Sequence, residues 1–222
     1  MLKRRNSPTR FAATRSGRRL AVAVLLLAAI TGPRPAAAAG YGATVGGGGS
    51  NSASGYYSTV SGGLSNAAGV FYSTVAGGYS NSALSYAYYA AIGGGSGNYA
   101  SYFYVTIAGG LYNIASGYAA SVGGGRSNSV AGSYSTVAGG WSNSVAGSYS
   151  TVAGGRSNSV ASSYSTVAGG WSNSVAGSYS TVAGGRSNSV SSIAQYASIT
   201  GGYVNTVAAY TSYATISGGY SN

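Results

Sequence analysis

Four residue types that carry much of protein chemistry are missing: the 222 residues include no Asp, Glu, His or Cys. General acid–base catalysis near neutral pH needs a histidine or a tuned carboxylate, and a serine nucleophile needs a base beside it, so we predict that the chain is not an enzyme. Zinc sites need Cys or His and calcium sites need carboxylates, so no metal site or cofactor is predicted. Without cysteine there is no disulfide framework, and stability must come from packing.

Positive charge is abundant but unevenly placed. The sequence has eleven Lys and Arg residues, and eight of them precede residue 36. The remaining three are Arg126, Arg156 and Arg186. Nucleic-acid binding requires a basic stripe or patch. Three arginines spread over the long remainder of the chain predict no nucleic-acid partner.

The N-terminal region has the three-part plan of an export signal. Residues 1–19 are basic and polar, residues 20–30 form an eleven-residue apolar run, and small alanines at 36–39 precede Gly40. A membrane anchor is the alternative, but eleven residues of helix reach only about 16 Å, roughly half the hydrocarbon core. We therefore predict a secretory signal peptide over residues 1–39 and no membrane span in the mature chain. The predicted location is secreted or cell-surface, and outer membrane-associated if an anchor lies outside this chain.

A repeat of 15 to 17 residues runs through the rest of the chain. Each unit has Val or Ile at a position that we number zero, Gly-Gly at positions two and three, and Asn at position six. The zero positions of the twelve units are Val45, Val60, Val75, Ile92, Ile107, Val122, Val137, Val152, Val167, Val182, Ile199 and Ile216. Because one short coil cannot bury its apolar face alone, neighbouring coils must stack.

One coil is clearest at residues 135–149, STVAGGWSNSVAGSY. It holds two β-prone stretches separated by Gly-rich and Ser/Asn-rich corners, and we expect Gly and Asn to supply the positive φ angles that such corners need. Each stretch alternates, so that Val137 faces inward while Thr136 faces outward. The prediction is an all-β parallel β-roll, or β-solenoid, over residues 40–222, with two short strands per coil and about twelve coils. The chain stops in mid-coil at Asn222, so we interpret this domain as truncated at its C-terminus.

The predicted interior consists of small side chains. Position zero is always Val or Ile and position eight is always Ala or Val, which implies that the two sheets lie closer together than the about 10 Å of an ordinary sandwich. The asparagines lie two residues before position eight, and therefore on the same side of the chain as its inward-facing Ala or Val. We expect them to face inward at a corner and to hydrogen-bond from coil to coil. Three spacings of 17 residues preserve strand alternation and are expected to form corner bulges. The predicted structural ladder comprises Val137, Val152, Val167, Val182, Asn128, Asn143, Asn158, Asn173 and Asn188.

Three outward-facing columns are the candidate contact surfaces. A column of Thr lies just before position zero. It reflects either the β-propensity of threonine on a solvated face or a flat hydroxyl–methyl lattice that orders water, as in ice-binding solenoids. A Tyr column three positions before zero either covers a corner with stacked rings or forms an aromatic stripe for glycans or proteins. At position four, Trp and Arg alternate and permit cation–π stacking, which serves either local stability or partner contact. The candidate residues are Thr136, Thr151, Thr166, Thr181, Tyr134, Tyr149, Tyr164, Tyr179, Trp141, Trp171, Arg126, Arg156 and Arg186.

With the coil laid out, the chain resembles the YadA-type head repeats of trimeric autotransporter adhesins. Those repeats read roughly S-x-A-I-G, followed by small polar residues and another A-x-G. Residues 135–139 (STVAG) and 143–147 (NSVAG) match this pattern as S/N-x-V-x-G, and the resemblance covers residues 40–222. It implies a left-handed parallel β-roll, a homotrimer of three chains side by side, and attachment to a host or matrix protein or glycan surface.

These patterns favour an exported structural repeat protein that acts in adhesion through multivalent weak contacts. An ice-binding solenoid that uses the Thr column is one alternative, and an inert structural spacer is the other. The coils from residue 133 to residue 189 are nearly identical, which argues against a distinct pocket in any one of them.

Overall fold

The computed structural model describes residues 36–222, which form a parallel β-solenoid. Twenty-four strands of two residues each build two sheets of twelve parallel strands. Each strand hydrogen-bonds to the strand two places further along the chain, so every coil lies directly on the next. The predicted fold class, with two short strands per coil and about twelve coils, is confirmed.

The strands alternate between the two sheets along the chain. The odd sheet contains β1 (Ala37–Ala38), β3 (Ser52–Ala53), β5 (Ala67–Ala68), β7 (Ser82–Ala83), β9 (Tyr99–Ala100), β11 (Ile114–Ala115), β13 (Ser129–Val130), β15 (Ser144–Val145), β17 (Ser159–Val160), β19 (Ser174–Val175), β21 (Ser189–Val190) and β23 (Thr206–Val207). The even sheet contains β2 (Thr44–Val45), β4 (Thr59–Val60), β6 (Thr74–Val75), β8 (Ala91–Ile92), β10 (Thr106–Ile107), β12 (Ser121–Val122), β14 (Thr136–Val137), β16 (Thr151–Val152), β18 (Thr166–Val167), β20 (Thr181–Val182), β22 (Ser198–Ile199) and β24 (Thr215–Ile216).

Two columns of small aliphatic side chains form the core. The valine or isoleucine that ends each even strand is buried in every coil between the two terminal ones, and so is the alanine or valine that ends each odd strand from β3 onward. Cα atoms of β16 lie within 8 Å of Cα atoms of both β15 and β17 in the opposite sheet. This separation is below the about 10 Å of a typical sandwich, as the absence of Leu and Phe from both columns predicted.

The asparagines form a buried ladder at one corner, as predicted. The side-chain Nδ2 of Asn143 donates to the carbonyls of Gly139 and Gly155, each at 3.0 Å. Its Oδ1 accepts the backbone N–H of Asn158 in the next coil at 3.0 Å. The rungs therefore join side chain to backbone, and direct amide-to-amide bonds, such as the one from Asn173 to Asn158 at 3.2 Å, are a minority. Among residues 36–222, every buried side-chain nitrogen and oxygen has a hydrogen-bond partner.

The residues that adopt positive φ angles at the corners are only partly those that we predicted. Gly140 has a φ of 93°, as expected, but the second left-handed residue at this corner is Ser142 (φ 54°) and not Asn143. At the opposite corner it is Tyr149 (φ 55°). The reason is that the asparagine must direct its amide inward to the ladder, so the residue before it makes the bend.

A second ladder, formed by serine hydroxyl groups, supports the tyrosine corner and was not predicted. The buried Ser135 donates from Oγ to the Gly147 carbonyl at 2.8 Å, and its Oγ accepts the Ser150 N–H at 3.0 Å. Equivalent serines at 165 and 180 continue the pattern. Both corners of the near-identical coils are therefore fixed by short polar side chains that bridge successive coils.

The three 17-residue spacings form corner bulges, as predicted. Strand register continues through them, since Val75 pairs with Ile92 and Val182 pairs with Ile199. The extra residues form an additional turn at the tyrosine corner, closed in one coil by the Ala194 N–H to Ser191 carbonyl bond at 3.0 Å.

The stacked coils begin before the predicted boundary at Gly40. Strand β1 pairs in parallel with β3, and it consists of alanines that the sequence analysis assigned to the cleavage region of the signal. The rest of the predicted signal, residues 1–35, lies outside the described residues. Within residues 36–222, no helix has the length and apolarity needed to cross a membrane.

Candidate interaction surface

The Thr column runs in register along the even sheet. Thr136 pairs with Thr151, Thr151 with Thr166, and Thr166 with Thr181. These side chains are exposed or half-exposed on the outer face. The next outward position is alanine in the near-identical coils, as at Ala138, so the row of hydroxyl groups is one residue wide there.

The Tyr column forms a face-to-face stack, which we call the Tyr ladder. The rings of Tyr134, Tyr149, Tyr164 and Tyr179 have centroids 4.9–5.1 Å apart and interplanar angles of 1–9°. Each side chain is still 47–52% exposed. Since the faces cover one another, the exposed parts are ring edges and phenol hydroxyl groups. A left-handed backbone costs an L-residue about 1–2 kcal/mol, and ring stacking offsets part of that cost.

Tyr118 links the Tyr ladder to a similar stack in the N-terminal coils, which consists of Tyr57, Tyr72, Tyr89 and Tyr104. Ala119 occupies the ladder position in its coil, and the ring of Tyr118 fills the gap, with its centroid 5.5 Å from that of Tyr104 and 5.3 Å from that of Tyr134. Partial burial, followed by the neighbouring Tyr134 and Tyr104 phenols, raises the pKa of Tyr118 above its usual 10.0. The rings therefore form one continuous path from the second coil to the twelfth.

A second aromatic column, which the sequence analysis missed, lies one position before the Tyr ladder in the N-terminal coils. The rings of Phe71 and Tyr88 lie 5.6 Å apart at 22°, and those of Tyr56 and Phe71 lie 5.1 Å apart at 89°. These rings border a groove of about 220 Å³. From residue 133 onward serine replaces the aromatic residue at this position in four successive coils. The column was legible in the sequence, but only in the coils that differ from the near-identical stretch. Its members are Tyr41, Tyr56, Phe71, Tyr88, Phe103 and Tyr118.

The alternating Arg and Trp residues form a continuous cation–π column, which we call the Arg–Trp stack. The Cζ of Arg156 lies 4.1 Å from the ring centroid of Trp141 and 5.5 Å from that of Trp171. Arg126 lies 5.7 Å from Trp141 on the other side, and Arg186 lies 4.0 Å from Trp171. Each indole is thus held between two guanidinium groups. Backbone bridges between successive members of the column fix this alignment.

The three candidate columns occupy different parts of the coil. Within one coil, Tyr134 precedes strand β14, Thr136 lies on it, and Trp141 follows it. The Tyr ladder and the Arg–Trp stack therefore lie at opposite corners, with the Thr column on the sheet face between them. This arrangement presents three parallel rows of side chains and not a single convergent pocket.

Comparison with known proteins adds no family assignment. No protein-family model matches the chain, and no curated protein is significantly similar to it.

Proposed function

We propose that the chain is an exported structural repeat protein that acts in adhesion through many weak, identical contacts. The observation that carries this proposal is the exposure of the same side-chain rows in coil after coil, above all the half-exposed Tyr ladder. The absence of histidine and carboxylates from the sequence supports binding over catalysis.

The mechanism is multivalent. Coils repeat at the inter-strand spacing of about 4.8 Å, so a surface with repeated hydroxyl or amide groups meets one further tyrosine hydroxyl group of the Tyr ladder at each step. One such contact is weak, but linked contacts add because each one raises the effective concentration of the next. The resemblance to YadA-type head repeats supports a surface or extracellular location. It also supports a homotrimer, which light scattering would test.

Changing the number of coils tests the proposal. Deleting residues 135–164 removes two complete coils and joins Tyr134 to Ser165, which keeps strand register and the alternation of Arg and Trp. Duplicating the same segment adds two coils. We expect retention on matrix proteins, glycans or cells to fall by a graded factor in the deletion and to rise in the duplication. Complete loss of retention after the deletion would indicate one dedicated site. No retention by the native, shortened or lengthened protein would favour an inert spacer.

Ice binding is a second candidate, favoured by the unbroken register of the Thr column. Thermal hysteresis of the native protein would support it, provided that changing Thr136, Thr151, Thr166 and Thr181 to Lys abolishes the effect. Absence of hysteresis in the native protein would remove this candidate. Adhesion is the better supported function because the hydroxyl row is only one residue wide.

A further inference from the structure

The charged side chains of the solenoid all lie in one column. Within residues 36–222 they are Arg126, Arg156 and Arg186, and all three are exposed. Successive arginines are two coils apart, or about 9.6 Å at the usual strand spacing. The chain contains no Asp or Glu, so no side chain can neutralise them. The solenoid therefore carries a straight row of three unpaired positive charges.

The guanidinium groups lie against indole rings and remain exposed to solvent. The Cζ atoms of Arg156 and Arg186 are 4.1 and 4.0 Å from the centroids of indole rings, so one aromatic surface supports each guanidinium group while the side chain stays solvent-accessible. A guanidinium group has five N–H donors along its edge and no acceptor. Those donors match carboxylate and sulfate groups in a bidentate geometry. The stack thus pre-orients its arginines for anions that approach from solvent.

The surroundings of the Arg–Trp stack suit a hydroxyl-rich ligand that lies along the solenoid. Exposed serines, Ser142, Ser157 and Ser172, follow the stack residues directly in the chain. On the other side, a Cβ added at Gly139 or Gly154 would meet no atom within 4 Å. The stack is therefore flanked by hydroxyl groups on one side and by open, bare backbone on the other.

We propose that the Arg–Trp stack binds a linear anionic polysaccharide, with sulfate or carboxylate groups on the edges of Arg126, Arg156 and Arg186. This proposal rests on the adhesive function above and names the partner of one of its columns. Single-stranded nucleic acid fits less well, because its bases need free aromatic faces and the indole faces are already covered.

Tryptophan fluorescence isolates this site from the basic N-terminal region. Trp141 and Trp171 are the only tryptophans in the chain, so their emission reports on the Arg–Trp stack alone. The full-length chain would be titrated with heparin, which carries sulfates and carboxylates, with hyaluronate, which carries carboxylates only, and with neutral dextran. We expect a saturable change in tryptophan emission with heparin and no change with dextran. A change with hyaluronate would show that carboxylates alone suffice. Three arginine contacts predict that affinity falls about 20- to 40-fold between about 50 and 200 mM salt.

Two matched variants test the assignment at equal net charge. Changing Arg126, Arg156 and Arg186 to Gln should abolish the fluorescence change, whereas R4Q/R5Q/R10Q removes the same charge from outside the solenoid and should leave it intact. Circular dichroism would check the fold of each variant. The triple Arg→Lys variant is a second check and should bind more weakly than the native chain, because lysine lacks the planar fork.

Several results would overturn the proposal. These are no response to either polyanion at low salt, an equal response in the triple Gln variant, or tighter binding of a thymidine oligonucleotide than of both polysaccharides. Failure here alongside unchanged retention on surfaces would remove the polysaccharide and leave the adhesive function standing. If the native chain is not retained on any surface, the adhesive function itself is wrong.

Discussion

Asn158→Ala removes a complete rung from the middle of the asparagine ladder. In the native protein the Nδ2 of Asn158 donates to the carbonyls of Gly154 at 3.0 Å and Gly170 at 3.1 Å. Its Oδ1 accepts the backbone N–H of Asn173 at 3.0 Å. The Nδ2 of Asn173 also donates to this Oδ1, at 3.2 Å. Alanine keeps the backbone and removes the side-chain atoms that make these four bonds, so the contact between successive coils is weakened at one point.

The expected loss differs among the four bonds. The Asn173 Nδ2 keeps its bonds to the Gly169 and Gly185 carbonyls, so the cost there is small. The Gly170 carbonyl keeps the N–H of Arg156 at 2.9 Å, so its loss is small. The buried Asn173 N–H loses its acceptor, which costs about 1–3 kcal/mol, and the lost bond to Gly154 costs about 1 kcal/mol. We therefore expect the free energy of unfolding to fall by about 2–4 kcal/mol.

Urea denaturation and hydrogen exchange would measure this loss. With an m-value of about 3 kcal/mol/M, the midpoint should fall by about 1 M, and the Asn173 amide should exchange faster than in the native protein. Ser159→Ala is the matched control, because this neighbouring side chain faces outward and its loss should change stability by less than about 0.5 kcal/mol. An Asn158→Ala protein as stable as this control, with a protected Asn173 amide, would refute the ladder as a source of stability.

Three further predictions address the core, the tyrosines and the Arg–Trp stack. Val152→Leu should lower the free energy of unfolding by about 1–3 kcal/mol through overpacking, since facing strands lie within 8 Å; native-like thermal stability would contradict the thin interior. Native stability should fall as pH rises above 10.0, because Tyr118 ionises there in the unfolded chain while its raised pKa keeps it protonated in the folded one. Urea midpoints on both sides of that pH should show a smaller fall for Tyr118→Phe, and an equal fall would contradict the assignment. A double-mutant cycle of Arg156→Gln and Trp141→Leu, followed by urea denaturation, should give a coupling energy of about 0.5–1 kcal/mol, and a coupling near zero would mean that the stacked geometry adds nothing to stability.

The periodic features were predictable because each repeats in almost every coil. An inward column must keep the same parity and size in all coils, so Val137 and its equivalents were identified from spacing alone. The asparagine ladder followed from the same parity argument. Stacking converts one-dimensional register directly into three-dimensional contact, and for this reason the sequence predicted the core and its corner amides together.

Features that depend on how neighbouring coils meet were not predictable in this way. Tyr118 is one position out of register with the Tyr ladder, and only the distances of its ring from those of Tyr104 and Tyr134 show that it fills the gap left by Ala119. The left-handed backbone at Ser142 is imposed by the inward amide of Asn143, which no local propensity of serine reveals. The second aromatic column was overlooked because it is confined to coils that diverge from the near-identical ones.

Within residues 126–186, the alternation of Arg and Trp favours changes of length by pairs of coils over changes by single coils. Recombination that removes residues 135–149 would place Arg126 directly against Arg156, two like charges about 4.8 Å apart in a chain without a single acidic side chain. Loss or gain of 30 residues restores the alternation. Variants of this stretch that differ in length by such steps would keep the same charge pattern, so we expect length differences within it to come in multiples of two coils.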